Sequence, residues 1–137
     1  MAKRKTLRDR ITARIARKRD DVFLTREFAD LGGEDQVLRA LRGLVRDRYL
    51  VRLGYGVYGR AFTSQLSGEP LLYTTNGFSG AVRQALTKLG VQWEPTEAER
   101  AYNEGESRQV LVNSVVRVKG RFSRQLRYGN TELVVVR

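Results

Sequence analysis

The chain contains no cysteine and no histidine. Without cysteine there are no disulfides, no thiolate zinc sites and no thiol nucleophile. Without histidine the commonest general base and the commonest metal ligand are missing. Long apolar runs are absent too. No stretch approaches the ~20 apolar residues of a membrane span. The N-terminal MAKRKTLRDR lacks the apolar region of a secretory signal. These absences fit a cytoplasmic chain with no membrane partner.

They also remove the commonest catalytic arrangements, because no nucleophile–base pair containing Cys or His can be assembled. The carboxylates Glu94, Glu97, Glu99, Glu104 and Glu106 gather around one short segment. A magnesium site would need two or more of them to converge. Glu97 and Glu104 are spaced to share a helical face, and a solvated acidic face is the ordinary reading of that pattern. Tyrosine-based strand cleavage would have Tyr55, Tyr58 and Tyr102 to draw on. The expectation is a non-enzyme with no cofactor, no metal and no catalytic residue.

What is abundant is positive charge. The 137 residues carry 26 Lys and Arg against 15 Asp and Glu, a net +11, which favours a polyanionic partner. The excess is uneven: residues 1–60 hold 16 basic and 8 acidic side chains (+8), residues 61–137 hold 10 and 7 (+3). A ribosomal or generally basic RNA-binding protein is the alternative with the same balance.

Residues 20–62 organise the rest. Thr25 is placed to N-cap a short helix running through Phe28 to Leu31. Gly32 and Gly33 supply a turn. A second helix is expected from about Glu34 to Asp47, with Val37, Leu38, Leu41, Leu44 and Val45 on one side at helical spacing. Gln36, Arg39, Gly43 and Arg46 fall on the other side, with Arg42 at its edge. Leu50–Leu53, a turn at Gly54-Tyr55-Gly56 and a return through Val57–Arg60 read as a β-hairpin. Helix, glycine turn, arginine-faced helix and hairpin together predict a winged helix-turn-helix. Gly54 to Gly59 also spells G-x-G-x-x-G, but no helix or βαβ unit follows, so it reads as the wing.

The run from Leu24 to Gly59 resembles the N-terminal winged-helix domain of abortive-infection AbiEi-type antitoxins and related uncharacterised proteins. The likeness rests on a short Phe-containing helix, a Leu-rich helix ending in basic residues, and Val51-Arg52-Leu53-Gly54-Tyr55-Gly56-Val57-Tyr58. It extends more weakly over Ala101-Tyr102-Asn103 and Ser107-Arg108-Gln109-Val110. The resemblance implies DNA binding with autorepression of a toxin–antitoxin operon. It also implies a second domain concerned with toxin neutralisation.

Thr6 and Asp9 have capping-box spacing at the start of a first helix, whose stripe is Leu7, Ile11 and Ile15. Residues 63–69 form the expected boundary between a DNA-binding domain (1–62) and a small α/β domain (70–137). In the second stretch a strand is expected at Leu71–Thr74 and a helix from Phe78 to Leu89 capped by Gly90. A strand at Val91–Trp93 and a short helix opened by Thr96 and Glu99 come next. Strands at 110–112 and 116–119, at 121–128 and at 133–136 then predict an antiparallel meander. Tyr58 and Trp93 are expected to pack inside.

The expected fold class is therefore α+β. The expected function is a sequence-specific repressor of double-stranded DNA, autoregulatory and homodimeric. The alternatives are an antitoxin that binds a cognate toxin or a basic RNA-binding protein. Gln36, Arg39 and Arg42 are placed to read bases, since an arginine fork matches guanine and glutamine matches adenine. Lys3, Arg4, Lys5, Thr25, Arg26, Arg46, Arg52, Tyr55 and Arg60 are placed to hold the backbone. Glu34 and Asp35 in the first turn either serve the helix dipole or face the DNA. Arg117, Lys119, Arg121 and Arg127 form either a second phosphate-binding surface or a solvated sheet face.

Overall fold

A computed structural model describes residues 5–74, 77–96 and 114–136. The fold is mixed α+β, with three helices among the described residues and both antiparallel and parallel strand pairs.

Helix α1 (Leu7–Arg17) starts on a complete capping box: the Asp9 N–H donates to Thr6 Oγ1 at 3.1 Å and the Thr6 N–H to the Asp9 carboxylate at 3.0 Å. It buries Ile11, with Leu7 and Ile15 beside it, against α2 (Glu34–Arg46), which contributes Val37, Leu41 and Leu44. Phe23, Phe28, Leu50 and Tyr58 complete this core.

Between the helices the chain forms β1 (Val22–Leu24) and one 3₁₀ turn, Thr25–Phe28, in place of the longer helix expected there. The Glu27 carboxylate takes the Leu24 N–H at 2.6 Å, and the Ala29 and Leu31 N–H groups reach back three residues. That bonding tightens the segment to one turn. Thr25 is accordingly not an N-cap. Its hydroxyl lies beside Gly56, sealed from solvent and without a hydrogen-bond partner.

Helix α2 closes through Arg48, at φ 69°, with the Tyr49 N–H bonded to the Leu44 carbonyl at 2.9 Å. This is the terminus that usually takes glycine.

The hairpin is β2 (Leu50–Gly54) and β3 (Val57–Thr63), with a bulge between Arg52 and Gly54. Strand β1 pairs with the other edge of β3, giving the order β1-β3-β2. Strand β4 (Pro70–Leu72) pairs with the later part of β3. The expected boundary at 63–69 is thus a tight loop inside one sheet, held by the Ser64 hydroxyl accepting from Leu66 and Ser67 N–H groups.

Helix α3 (Gly77–Lys88) packs Ala81, Val82 and Ala85 into the core that contains Val22, Leu24, Leu53 and Val57. It ends at Gly90, with the Val91 N–H donating to the Leu86 carbonyl at 2.9 Å. The stretches 1–62 and 70–137 therefore share a hydrophobic core.

The second sheet contains β5 (Trp93–Pro95), β6 (Ser114–Val118), β7 (Arg127–Tyr128) and β8 (Thr131–Val136) in the order β5-β6-β8-β7. It is not the antiparallel meander expected: β6 and β8 run parallel. The cause is the segment 119–126. It forms no strand but crosses to the hairpin, where Leu126 is buried in the shared core. A chain that crosses over before pairing returns in the same direction. The helix expected after Thr96 and the strand expected at 110–112 lie outside the described residues.

Candidate nucleic-acid interface

Helix α2 has a strongly one-sided sequence, and burial of its leucine face fixes which side is left to solvent. Gln36, Arg39, Arg42 and Arg46 are all exposed. Neither Arg39 nor Arg42 has an acidic partner among the described residues. Arg46 lies 3.7 Å from the Asp47 carboxylate, with its side chain 78% exposed. Gly33 caps the helix without a side-chain bond, leaving Glu34 and Asp35 as the charges that complement its first turn.

Helix α1 flanks this face. Arg8 donates to the Asp47 carboxylate at 2.5 Å and lies over the Tyr49 ring, 5.7 Å from its centroid. The Arg8 guanidinium sits beside the Arg39–Arg46 row, in a depression that also takes in Thr6 and Gln36. Lys5 is exposed near Gln36 on the same side. Lys3 and Arg4 lie outside the described residues.

On the other flank is the hairpin tip. Tyr55 is 71% exposed and Arg52 is exposed, its Nε bonded to the Gly54 carbonyl at 3.3 Å. Arg124 reaches the tip from the second half of the chain and donates to the Tyr55 carbonyl at 3.0 Å. Arg52, Tyr55, Arg124 and Arg127 line one open depression. A Cβ on Gly54 would stand 2.5 Å from the Gln125 carbonyl oxygen, so this glycine permits the crossing segment to lie on the hairpin.

Several expected positions fall elsewhere. Arg60, expected on the DNA backbone, is turned onto the chain's own backbone. Its guanidinium donates to the carbonyls of Ile15 (2.7 Å), Lys18 (2.5 Å) and Asp20 (2.7 Å) and stacks 5.0 Å from the Phe23 ring centroid. Arg60 thus adds a charged donor to the last turn of α1, where Ile15 also accepts the Lys18 N–H at 3.2 Å, and to the two carbonyls that follow the helix. The Thr25 hydroxyl is buried without a hydrogen-bond partner and does not face outward beside the exposed arginines of α2. Arg26 is exposed but bonded to the Lys88 carbonyl at the end of α3. The four basic residues expected on one sheet face are all exposed, yet they separate. Arg117 lies 3.6 Å from Glu94, while Arg127 joins the hairpin depression.

Arg8 is one of the basic residues that surround the apolar stripe of α1, while Arg124 has no place in the strand pattern the sequence offers. A signal for Arg124 exists: Arg121, Arg124 and Arg127 recur every third residue. A search for strand alternation passes over that spacing.

A charged cluster holds the support together behind this surface. The Lys88 ammonium donates to Asp20 (2.7 Å), the Val22 carbonyl (2.7 Å) and Glu27 (2.9 Å), and Lys18 also reaches Glu27 at 2.7 Å. Burial alone would raise the Glu27 carboxyl, but hydrogen bonds from Lys18, Lys88 and the Leu24 N–H bring it below its ordinary value. The bidentate Arg14 fork holds Asp30 down at about 2.

Tyr58 is buried, as expected. Trp93 donates from Nε1 to the Thr87 hydroxyl at 3.0 Å, and the Arg83 guanidinium lies 5.4 Å from its ring centroid. No group of three or more acidic side chains capable of holding a metal occurs among the described residues. No described helix is long and apolar enough to cross a membrane. No protein-family model, curated protein or solved structure matches this chain.

Proposed function

We propose that this chain is a winged helix-turn-helix protein that binds double-stranded DNA and represses transcription, including that of its own operon as in the AbiEi-type antitoxins it resembles. The observation that carries the reading is the solvent face of α2. Gln36, Arg39, Arg42 and Arg46 are exposed on one helix, flanked by a hairpin tip bearing Arg52, Tyr55 and Arg124. A helix of this diameter fits a B-form major groove, and a cationic hairpin beside it fits the adjoining phosphates. The order α1, β1, turn, α2, β2, β3 and the pairing β1-β3-β2 support the same assignment. The protein then works in the cytoplasm, with its DNA.

Gln36, Arg39 and Arg42 read bases in this scheme. Lys5, Arg46, Arg52, Tyr55, Arg124 and Arg127 hold the backbone. Phosphate contacts supply much of the affinity, so binding weakens steeply with salt. A winged helix reading an inverted repeat does so as a dimer.

A second reading, contact with a protein such as a cognate toxin, is favoured by a separate surface. Phe62 and Tyr73 pack edge to face at 5.6 Å yet remain 46% and 64% exposed, and exposed Leu71 pairs with Phe62 across the strands. Apolar groups gathered in this way mark protein contacts.

Selection of bound duplexes from a random pool, followed by competition with structured RNA, tests the main reading. Recovery of a common duplex motif that RNA displaces poorly is expected. Equal competition by structured RNA would replace DNA with RNA as the partner.

A further inference from the structure

A cleft of about 600 Å³ opens between the start of α2, the hairpin tip and the end of α3. Its walls are apolar: Leu24, Ala29, Val37, Leu38 and Leu89. Tyr55 and Gly56 form one lip. Two guanidiniums line it, Arg26 and Arg124, and both residues are exposed. Each spends a donor on a backbone carbonyl, Arg26 on Lys88 and Arg124 on Tyr55, and an arginine fork has five. The only carboxylate among the lining residues is Glu34, so the rim carries a net single positive charge.

We propose that this cleft binds a small amphipathic monoanion, an aromatic or branched aliphatic body bearing one carboxylate, and that its occupancy loosens the protein's grip on DNA. The volume lies within the range of small-molecule sites, and apolar walls with a few fixed polar groups are how such sites are built. The apolar body replaces water on Leu38 and Leu89. The carboxylate pairs with the Arg26 and Arg124 forks in a charge-assisted contact. A neutral ligand would gain only ordinary hydrogen bonds from these two groups, and a dianion would meet Glu34 with its second charge. The regulatory half of the proposal rests on the DNA reading. The walls include the first turn of α2 and the tip of the hairpin, the two parts that must keep a fixed spacing to straddle a groove and its phosphates. A ligand wedged between them, and drawing Arg124 toward itself, changes that spacing and takes Arg124 from the phosphates.

The test uses the full-length, isotopically labelled chain titrated with 1-naphthoate and with its neutral counterpart 1-naphthalenemethanol. Amide shifts are followed by NMR, and the naphthoate titration is repeated against the selected duplex. Saturable shifts at Leu38, Tyr55 and Leu89 with naphthoate, and binding at least about fivefold weaker for the alcohol, are expected from the loss of one charge-assisted contact. Arg124→Gln and Arg26→Gln should each weaken naphthoate by a similar factor, and naphthoate should weaken duplex binding. Absence of saturation, equal binding of acid and alcohol, or shifts confined to Phe62 and Tyr73 would overturn the site. Saturable binding that leaves duplex affinity unchanged would overturn the regulation. A chain that takes naphthoate here but binds no DNA would keep the anion site and remove the DNA reading instead.

Discussion

The Arg124 guanidinium donates a 3.0 Å hydrogen bond to the Tyr55 carbonyl across 69 residues of chain. This contact brings a cation from the second half of the protein to the tip of the first hairpin, next to Arg52 and Arg127. If the tip lies on a phosphate, Arg124 lies there too. Arg124→Gln is therefore expected to lower the slope of log affinity against log salt by about one, the share of one phosphate contact. It should do so on specific and random duplexes alike. Fluorescence anisotropy over a salt series measures this, and an unchanged slope would remove Arg124 from the interface.

Arg60 is expected to behave in the opposite way. Its guanidinium terminates α1 through three carbonyls. Arg60→Ala removes these charge-assisted bonds, with Ile15 keeping the Lys18 N–H as donor, and should cost about 1.5–3 kcal/mol of folding stability, the range for hydrogen bonds to a charged group. The salt slope of DNA binding by the folded variant should be that of the unaltered protein. Urea unfolding and anisotropy on the same preparation separate the two effects.

Gly54 sits where hairpin and crossing segment meet, with the Gln125 carbonyl oxygen 2.5 Å and a Leu126 methyl 2.8 Å from any added Cβ. The obstructing carbonyl belongs to the backbone, so it cannot swing aside as a side chain would. Gly54→Ala should cost about 1–3 kcal/mol by overpacking. It should also part Arg124 from Tyr55, which NMR shifts at both residues would report.

Acid should weaken the fold through Glu27. Its carboxyl is held below the ordinary 4.5 in the folded chain by Lys18, Lys88 and the Leu24 N–H, acting against burial. The unfolded chain takes up the proton first as pH falls, so the contribution is complete above about pH 5 and is lost as pH drops through the folded value. Asp20, Asp30 and Asp47, also held low, add to the same acid limb. Glu27→Gln should be less stable at neutral pH and lose less on acidification. Thermal unfolding between pH 3 and pH 7 gives both readings, and parallel curves for the two proteins would contradict this role.

The elements whose pattern is local were legible in the sequence. Thr6 and Asp9 announced α1, the leucines from Val37 to Leu44 announced α2, and Gly54-Tyr55-Gly56 announced the hairpin turn. Elements decided by distant partners were not. The Thr25 segment is a single 3₁₀ turn whose ends are held from afar, the Thr25 N–H by the Gly56 carbonyl and Glu27 by Lys88. β6 and β8 became parallel because Leu126 found its burial against the hairpin. Arg60 looked like any other basic residue of the hairpin, and only the open carbonyls at the end of α1 gave it another task. The exposed arginines of α2 were readable for the simplest reason: a strongly apolar face fixes its opposite.

The central claim is that α2 reads base edges through Arg39. The most direct measurement compares the affinity of unaltered and Arg39→Ala protein for the selected duplex and for a scrambled duplex at one salt concentration. A loss of about 1–3 kcal/mol is expected on the selected duplex, with a much smaller loss on the scrambled one. Equal losses on both, or no loss on either, would contradict it.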